Sequence, residues 1–256
     1  MRKQLPVLAA VAASLALVAG CSSKKADTLT MITESGFAPY EYMDGGKIVG
    51  VDVDICQAIA DKLGKTLVVE DAKFDAVIPS VIAGKADIAA AGITVTEDRK
   101  KSVDFSIPYV KSGIVIISRK DAPCMTAADL AGKKIGVQSG TTSDNYCVDT
   151  LKIEPERFDN PPVAVAALKS SKIDVVIADV DPAKNCIKGA EDVFVLSDFV
   201  GEPEEFAVAI AKGQPELLAA INEVIKDLVG SGAIEASKAK HDENYAKLRD
   251  TEKPAE

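Results

Sequence analysis

Residues 84–109 read GKADIAAAGITVTEDRKKSVDFSIPY. Gly84-Lys85 stops an apolar-periodic helix, and Asp87 to Ala91 reads as a short buried strand. The strand runs into Gly92-Ile93-Thr94, where a residue without a side chain lets another group approach the backbone. Thr96 then caps a short turn whose first residues, Glu97 and Asp98, suit the positive end of a helix. Arg99 stands three residues beyond that cap. A strand that ends in amides, a hydroxyl and a guanidinium is suited to holding a carboxylate. It is not suited to breaking a bond.

Upstream, Leu29 to Thr33 reads as a strand, and Glu34 to Tyr40 is the loop leaving it. Gly45-Gly46 makes a turn. Ile55, Ile59 and Leu63 recur at helical spacing, with Gly64 as the stop. Leu67 to Glu70 is the next strand, and Phe74, Val77, Ile78, Val81 and Ile82 line one face of a second helix. Pro79 fits that helix only in its first turn. Together with Asp87 to Ala91 this is a β-α-β-α-β run, which implies a parallel sheet covered by helices.

Downstream the pattern begins again. Ile114 to Ser118 is a strand, Asp129 to Gly132 a helical turn, and Lys134 to Gln138 a strand opening into Ser139-Gly140-Thr141-Thr142-Ser143. That loop caps a helix to Leu151, and Pro161-Pro162 precedes another over Val163 to Leu168. Asp174 to Ala178 is a buried strand ending in Asp179, with a helix opening at Asp181-Pro182. Strands follow at Val193 to Leu196 and Glu205 to Ile210, then a long helix from Pro215 to a stop at Gly230. From about Lys247 the chain is polar and reads as a loose tail. Two α/β units result, each sending strand ends and helix N-termini to one side, where ligands of open α/β sheets sit.

The 256-residue chain carries a formal charge of −9, which argues against nucleic acid, since phosphate neutralisation needs clustered Lys and Arg. The one histidine, His241, lies in a polar C-terminal stretch and is expected to face solvent, so neither a zinc site nor a His-based triad is read. Met1-Arg2-Lys3 is a charged start, and Leu5 to Ala19 an apolar core too short to span a membrane. Cys56, Cys124, Cys147 and Cys186 remain in a compartment that can oxidise thiols. Cys147 and Cys186 are the first candidate pair, with free buried thiols as the alternative.

Several linked pieces, GVDVDI before a helix, FDAVIPSVIAGKADI, GITVTEDR, VDFSIPY, DLAGKKIGVQSGTT and DVVIAD, resemble the bacterial extracellular solute-binding proteins, family 3, of polar amino-acid ABC importers. The resemblance covers Thr28 to about Tyr245. It implies an α/β, two-lobed periplasmic-binding-protein-like clamp, each lobe a mixed sheet flanked by helices, joined by two hinge crossovers. Lobe 1 is expected over 28–112 with a return over 201–246, lobe 2 over 113–200, and the tail over 247–256. Residues 1–20 resemble a lipoprotein signal ending at Val18-Ala19-Gly20-Cys21, with an ordinary secretory signal as the alternative. Cys21 would then be the lipidated first residue, and 21–27 a tether holding the protein in the cell envelope, at the outer face of the cytoplasmic membrane or on the periplasmic side if the host has an outer membrane.

Carried onto this chain, the resemblance gives Arg99 the ligand α-carboxylate in a bidentate fork. The amides around Gly92 and Thr94 and the Thr142 amide or hydroxyl complete that grip, with Thr141 a weaker candidate. Asp179 holds the α-ammonium, Phe37 and Phe74 flank the ligand side chain, and Glu34 reaches that side chain or the ammonium. Elementary electrostatics agrees: a zwitterion leaving water needs both charges paired. Arg99 against Glu34 and Asp179 leaves one negative charge over, which favours arginine, lysine or histidine above a neutral polar ligand such as glutamine. No catalytic residue, cofactor or metal is expected. The implied partners are an amino acid and an ABC permease with its ATPase, and the protein is expected to be a monomer.

Plainer readings exist for each residue. Arg99 alone is a surface arginine, Asp179 a helix cap, and Phe37 and Phe74 core residues. Asp52 and Asp54 have the look of a metal site, although capping and turn formation account for them. The Ser-Gly-Thr-Thr loop lacks the Gly-Lys-Ser/Thr ending of a phosphate loop. Ala91 stands where many family members have a polar residue, so one side-chain bond to ligand is lost; Val51 replaces a larger residue without functional consequence. Competing functions on the same clamp are an enzyme, a sensor or an adhesin, and no added domain is expected after the second lobe.

Overall fold

β1 (Thr28–Thr33) is buried on both faces at its far end, as an interior strand of a sheet covered on both sides must be. The computed structural model describes residues 27–251, so the signal, Cys21 and the end of the tail lie outside the described residues. β1 pairs in parallel with β5 (Thr66–Asp71) and β6 (Ile88–Ala89). A small antiparallel sheet inserts before the first helix, from β2 (Gly36–Phe37), β3 (Glu41–Asp44) and β4 (Lys47–Val49). The helices α1 (Val51–Lys62) and α2 (Phe74–Ile82) connect the parallel strands as the apolar spacing predicts. After α3 (Glu97–Lys100), β7 (Val103–Phe105) adds an edge strand.

β8 (Val110–Arg119) carries the chain into a second sheet with β9 (Ile135–Gln138), β10 (Glu156–Phe158), β11 (Val175–Asp179) and β12 (Phe194–Phe206). Its order is β10-β9-β11-β8-β12, and α4 (Thr142–Asn145), α5 (Pro161–Lys169) and α6 (Val180–Ile187) cover it. β12 runs antiparallel to β8 with two interruptions in the pairing, and together they form the two crossovers between lobes. The return strand β13 (Ala209–Ala211) joins the first sheet between β6 and β7, closing the order β5-β1-β6-β13-β7. α7 (Pro215–Gly230) and α8 (Ala233–Thr251) then pack on α1.

Several expectations of the fold change. The strands read at Val193 to Leu196 and Glu205 to Ile210 are instead one long strand, Phe194–Phe206, and a short one, Ala209–Ala211. Asp87 to Ala91 contributes only Ile88–Ala89 to the sheet, because the chain bends away beyond it toward Gly92. Pro79 is the sixth residue of α2 rather than in its first turn. It is tolerated because Pro79 and Asp75, whose carbonyl loses its donor, both lie on the exposed side. The polar tail is helical to Thr251, held where Arg249 donates from Nη1 to the Cys186 carbonyl at 2.7 Å.

His241 is buried, not solvent-facing: its Nδ1 shares a hydrogen bond with Tyr42 Oη at 2.9 Å and its Nε2 one with Asp54 Oδ2 at 3.0 Å. Cys147 and Cys186 are free and buried, as are Cys56 and Cys124. The reason is topological. Cys147 packs with Ile116, Leu130 and Ile177 on one face of the second sheet, whereas Cys186 packs with Val115, Ile117 and Val176 on the other.

Candidate functional site

The second crossover and the two facing loops bring charged groups together between the lobes. Thr96 caps α3, its hydroxyl accepting the Arg99 N–H at 3.2 Å, and this one-turn helix aims Arg99 into the cleft. Arg99 Nη1 donates to the Thr94 carbonyl at 2.8 Å, and Nη2 to the Gly140 carbonyl of the other lobe at 3.1 Å. Its guanidinium lies 5.4 Å from the Phe74 ring centroid, a cation–π arrangement. Burial lowers the guanidinium's pKa, opposed by the charges of Glu204 and Asp179. A cavity of about 60 Å³ remains among Phe74, Ile78, Ile93, Arg99 and Gly140.

Thr94 forms an isolated antiparallel bridge with Phe206, in which Ile93 and Val95 carry the flanking backbone bonds. Its own backbone groups therefore turn to the opposite side, toward Arg99. The Thr94 hydroxyl donates to Glu204 Oε2 at 2.8 Å. Asp179 ends β11, and the Ser112 hydroxyl donates to its Oδ1 at 3.2 Å. Asp179's carboxyl is held well above the usual carboxylate range, by burial first and then by Glu204 beside it. It caps no helix through its side chain, although it precedes α6.

Gly140 has a φ of 74°, which favours glycine, and a Cβ there would stand a tight 3.2 Å from Asp75 Cβ of α2. Thr141 caps α4: its hydroxyl accepts the Asp144 N–H at 3.2 Å and donates to the Gln138 carbonyl at 2.8 Å. That hydroxyl is fully engaged. Thr142, half-buried, is the first helical residue, and its N–H is one that no helix can satisfy internally.

Glu34 is buried and receives Gln138 Nε2 from the other lobe at 3.2 Å. Burial pushes its pKa up to about 7, opposed by the hydrogen bonds from Gln138, the Gly36 backbone and Asn160. Phe37 lies in the lobe 1 core, its ring 5.9 Å from that of Tyr40 and 6.2 Å from that of Phe206.

Gly92 departs from expectation. Its N–H donates to Asp52 Oδ2 at 2.8 Å, away from the cleft, so the Gly92 amide itself is not available to a ligand. Asp52 also accepts from Tyr109 Oη at 2.7 Å, and burial pushes its pKa up to about 6 against those two bonds and a third with Glu41. Neither Asp52 nor Asp54 belongs to a metal-holding cluster among the described residues. Asp52 instead fixes the turn through Gly92, and Asp54 bonds to His241 and Ser237.

Arg99, Thr94, Phe74, Asp179 and the loop around Thr142 thus share one cleft, with Glu34 beside Gln138 at its other side. Sequence reasoning missed Glu204, Ser112, Gln138 and Asn160. Glu204 had a usable signal: it stands in phase with Phe206 and Val208, two residues of an apolar face.

The model of the bacterial extracellular solute-binding proteins, family 3, matches residues 29–243. The arginine-binding extracellular protein ArtP of Bacillus subtilis is 32% identical over 250 residues, covering 94% of this chain and 98% of its own. The L-cystine-binding protein TcyJ of Escherichia coli is 30% identical over 239 residues, covering 87% and 90%. The crystal structure of the amino-acid ABC transporter substrate-binding protein AbpA from Streptococcus pneumoniae, bound to L-arginine, superposes with a TM-score of 0.81 at 31% identity, covering 86% of this chain and 96% of that one.

Proposed function

The chain belongs to the bacterial extracellular solute-binding proteins, family 3, and we propose that it captures a basic L-amino acid and delivers it to an ABC permease. Arg99 takes the α-carboxylate, with the Thr94 and Thr142 amides; Asp179 takes the α-ammonium; Glu34 and Phe74 receive the side chain. The observation that carries this reading is the placement of a half-buried guanidinium on one lobe and a buried carboxylate on the other, at a single cleft. A ligand touching both lobes favours the closed state by its difference in affinity, and so drives closure. A lipid anchor at Cys21 would keep the protein at the membrane face, and no helix among the described residues is long and apolar enough to cross it.

The basic preference draws support from a relative named for arginine, from a similar structure with L-arginine bound, and from Glu34, which forms no salt bridge among the described residues. A neutral polar ligand is the second reading, favoured by the two amide side chains of Gln138 and Asn160 that already contact Glu34. The test is a thermal-shift screen of protein refolded free of ligand, against the twenty amino acids. A ligand at a thousandfold excess over Kd stabilises by roughly 4 kcal/mol. A shift with arginine, lysine or histidine is expected. A shift with glutamine alone would select the second reading, and no shift at all would overturn both.

A further inference from the structure

Glu204 is turned into the cleft by the second crossover. In β12 the residues Gly201, Glu202 and Pro203 bulge outward and exposed, and the strand then returns with Glu204 and Phe206 inward and Glu205 outward. Glu204 pairs in register with Ser112 of β8, and both are buried. This cross-strand pair faces Asp179, which Ser112 bonds and which Glu204 adjoins.

The two carboxylates have no cation of their own. Among the described residues neither Asp179 nor Glu204 forms a salt bridge, although they are only 5% and 9% exposed. Arg99 acts on both through space, yet its fork is engaged by the carbonyls of Thr94 and Gly140. The protein supplies one hydroxyl donor to each, from Thr94 to Glu204 and from Ser112 to Asp179, and the two carboxyls share a hydrogen bond with each other. Two opposed buried carboxylates repel when both are ionised, so they either keep a proton between them or accept a positive charge from outside. A primary ammonium brings that charge and three N–H donors.

We propose that Glu204 is a second ligand-binding carboxylate, which with Asp179 clasps the α-ammonium of the bound amino acid. This rests on the amino-acid reading above and adds to it a contact from the hinge strand itself. The ligand then touches lobe 1 through Arg99, lobe 2 through Asp179 and the crossover through Glu204. Ammonium capture and closure are thereby joined at one residue.

The test compares wild type and Glu204→Gln by calorimetric titration with L-arginine and with 5-guanidinopentanoate, which is arginine without its α-amino group. Glu204→Gln is expected to weaken arginine by about 30-fold, the scale for removing one member of a buried charge pair. The analogue should weaken by less than about 3-fold, because it has no ammonium to lose. Glu204→Asp, which keeps the charge, is expected to recover part of the arginine loss, and it serves as the readout should the glutamine variant fold poorly. Equal weakening of both ligands, or none of either, overturns the proposal while leaving the amino-acid reading intact. A wild type that binds none of the twenty amino acids overturns both.

Discussion

Arg99 Nη2 reaches across the cleft to the Gly140 carbonyl at 3.1 Å, so one side chain of lobe 1 touches the loop that opens α4 in lobe 2. The contact is to a neutral acceptor, and a ligand carboxylate offers the same fork a charged one. Exchange of a neutral acceptor for an anionic, bidentate one strengthens a bond that the guanidinium already assists, and so favours the ligand.

Arg99→Ala is therefore expected to lower amino-acid affinity by at least about 100-fold, or some 3 kcal/mol. Its effect on the melting temperature of the unliganded protein should be small, since the lost bonds are to carbonyls at the cleft. Calorimetric titration beside a thermal melt measures both. A variant that still binds at wild-type affinity would remove the carboxylate role from Arg99.

Glu34→Gln separates charge reading from general damage. The variant keeps the shape and can still bond to Gln138, but it cannot ionise. Arginine and lysine are expected to bind about 10-fold or more weakly, and a neutral amino acid with little change. The readout is the ratio of the two affinities. An equal loss for both classes would assign Glu34 a structural role.

The fold was legible because its signals are local. Strand β1, helix α1 with its glycine stop and the Thr96 cap follow from spacing and residue type alone. What escaped depends on distant partners. His241 reads as solvated in a polar helix, and only Tyr42 and Asp54, brought from elsewhere in the chain, bury it. Gly92 reads from the sequence as a close approach, but the approaching groups, the Phe37 ring and Asp52, cannot be named from the stretch that holds it. Glu204 required knowing which face of a bulged strand meets the cleft.

Buried carboxyls make the unliganded protein sensitive to pH in an unusual direction. Glu34 and Asp52 are pushed up to about 7 and about 6, from 4.5 and 3.8, and Glu41 is also raised, by burial and then by Asp52. Between the ordinary and the raised values the folded state binds more protons than the unfolded one, so stability falls as pH rises. The loss for one such group is roughly 1.4 kcal/mol per pH unit within its window. The ligand-free melting temperature is expected to be higher at pH 5 than at pH 7.5, and Glu34→Gln should flatten the upper part of that slope. A melting temperature that climbs steadily from pH 5 to pH 7.5 would contradict the burial of these groups.

Gly92→Ala tests the turn behind the cleft. Gly92 has a φ of 53°, where a Cβ costs about 1 kcal/mol, and that Cβ would stand 2.4 Å from Phe37 Cε1. Phe37 cannot swing aside, since Tyr40 and Phe206 pack against it in the core. Overpacking of this kind adds about 1 to 3 kcal/mol. Gly92→Ala is expected to destabilise by about 3 kcal/mol in urea unfolding, with backbone strain and the clash acting together. Phe37→Leu alone is destabilising, but combined with Gly92→Ala it makes room for the methyl group. The double variant should then be less destabilised than the sum of the two single variants by at least about 1 kcal/mol. Strict additivity would mean that the Phe37 ring is not what excludes a side chain at this position.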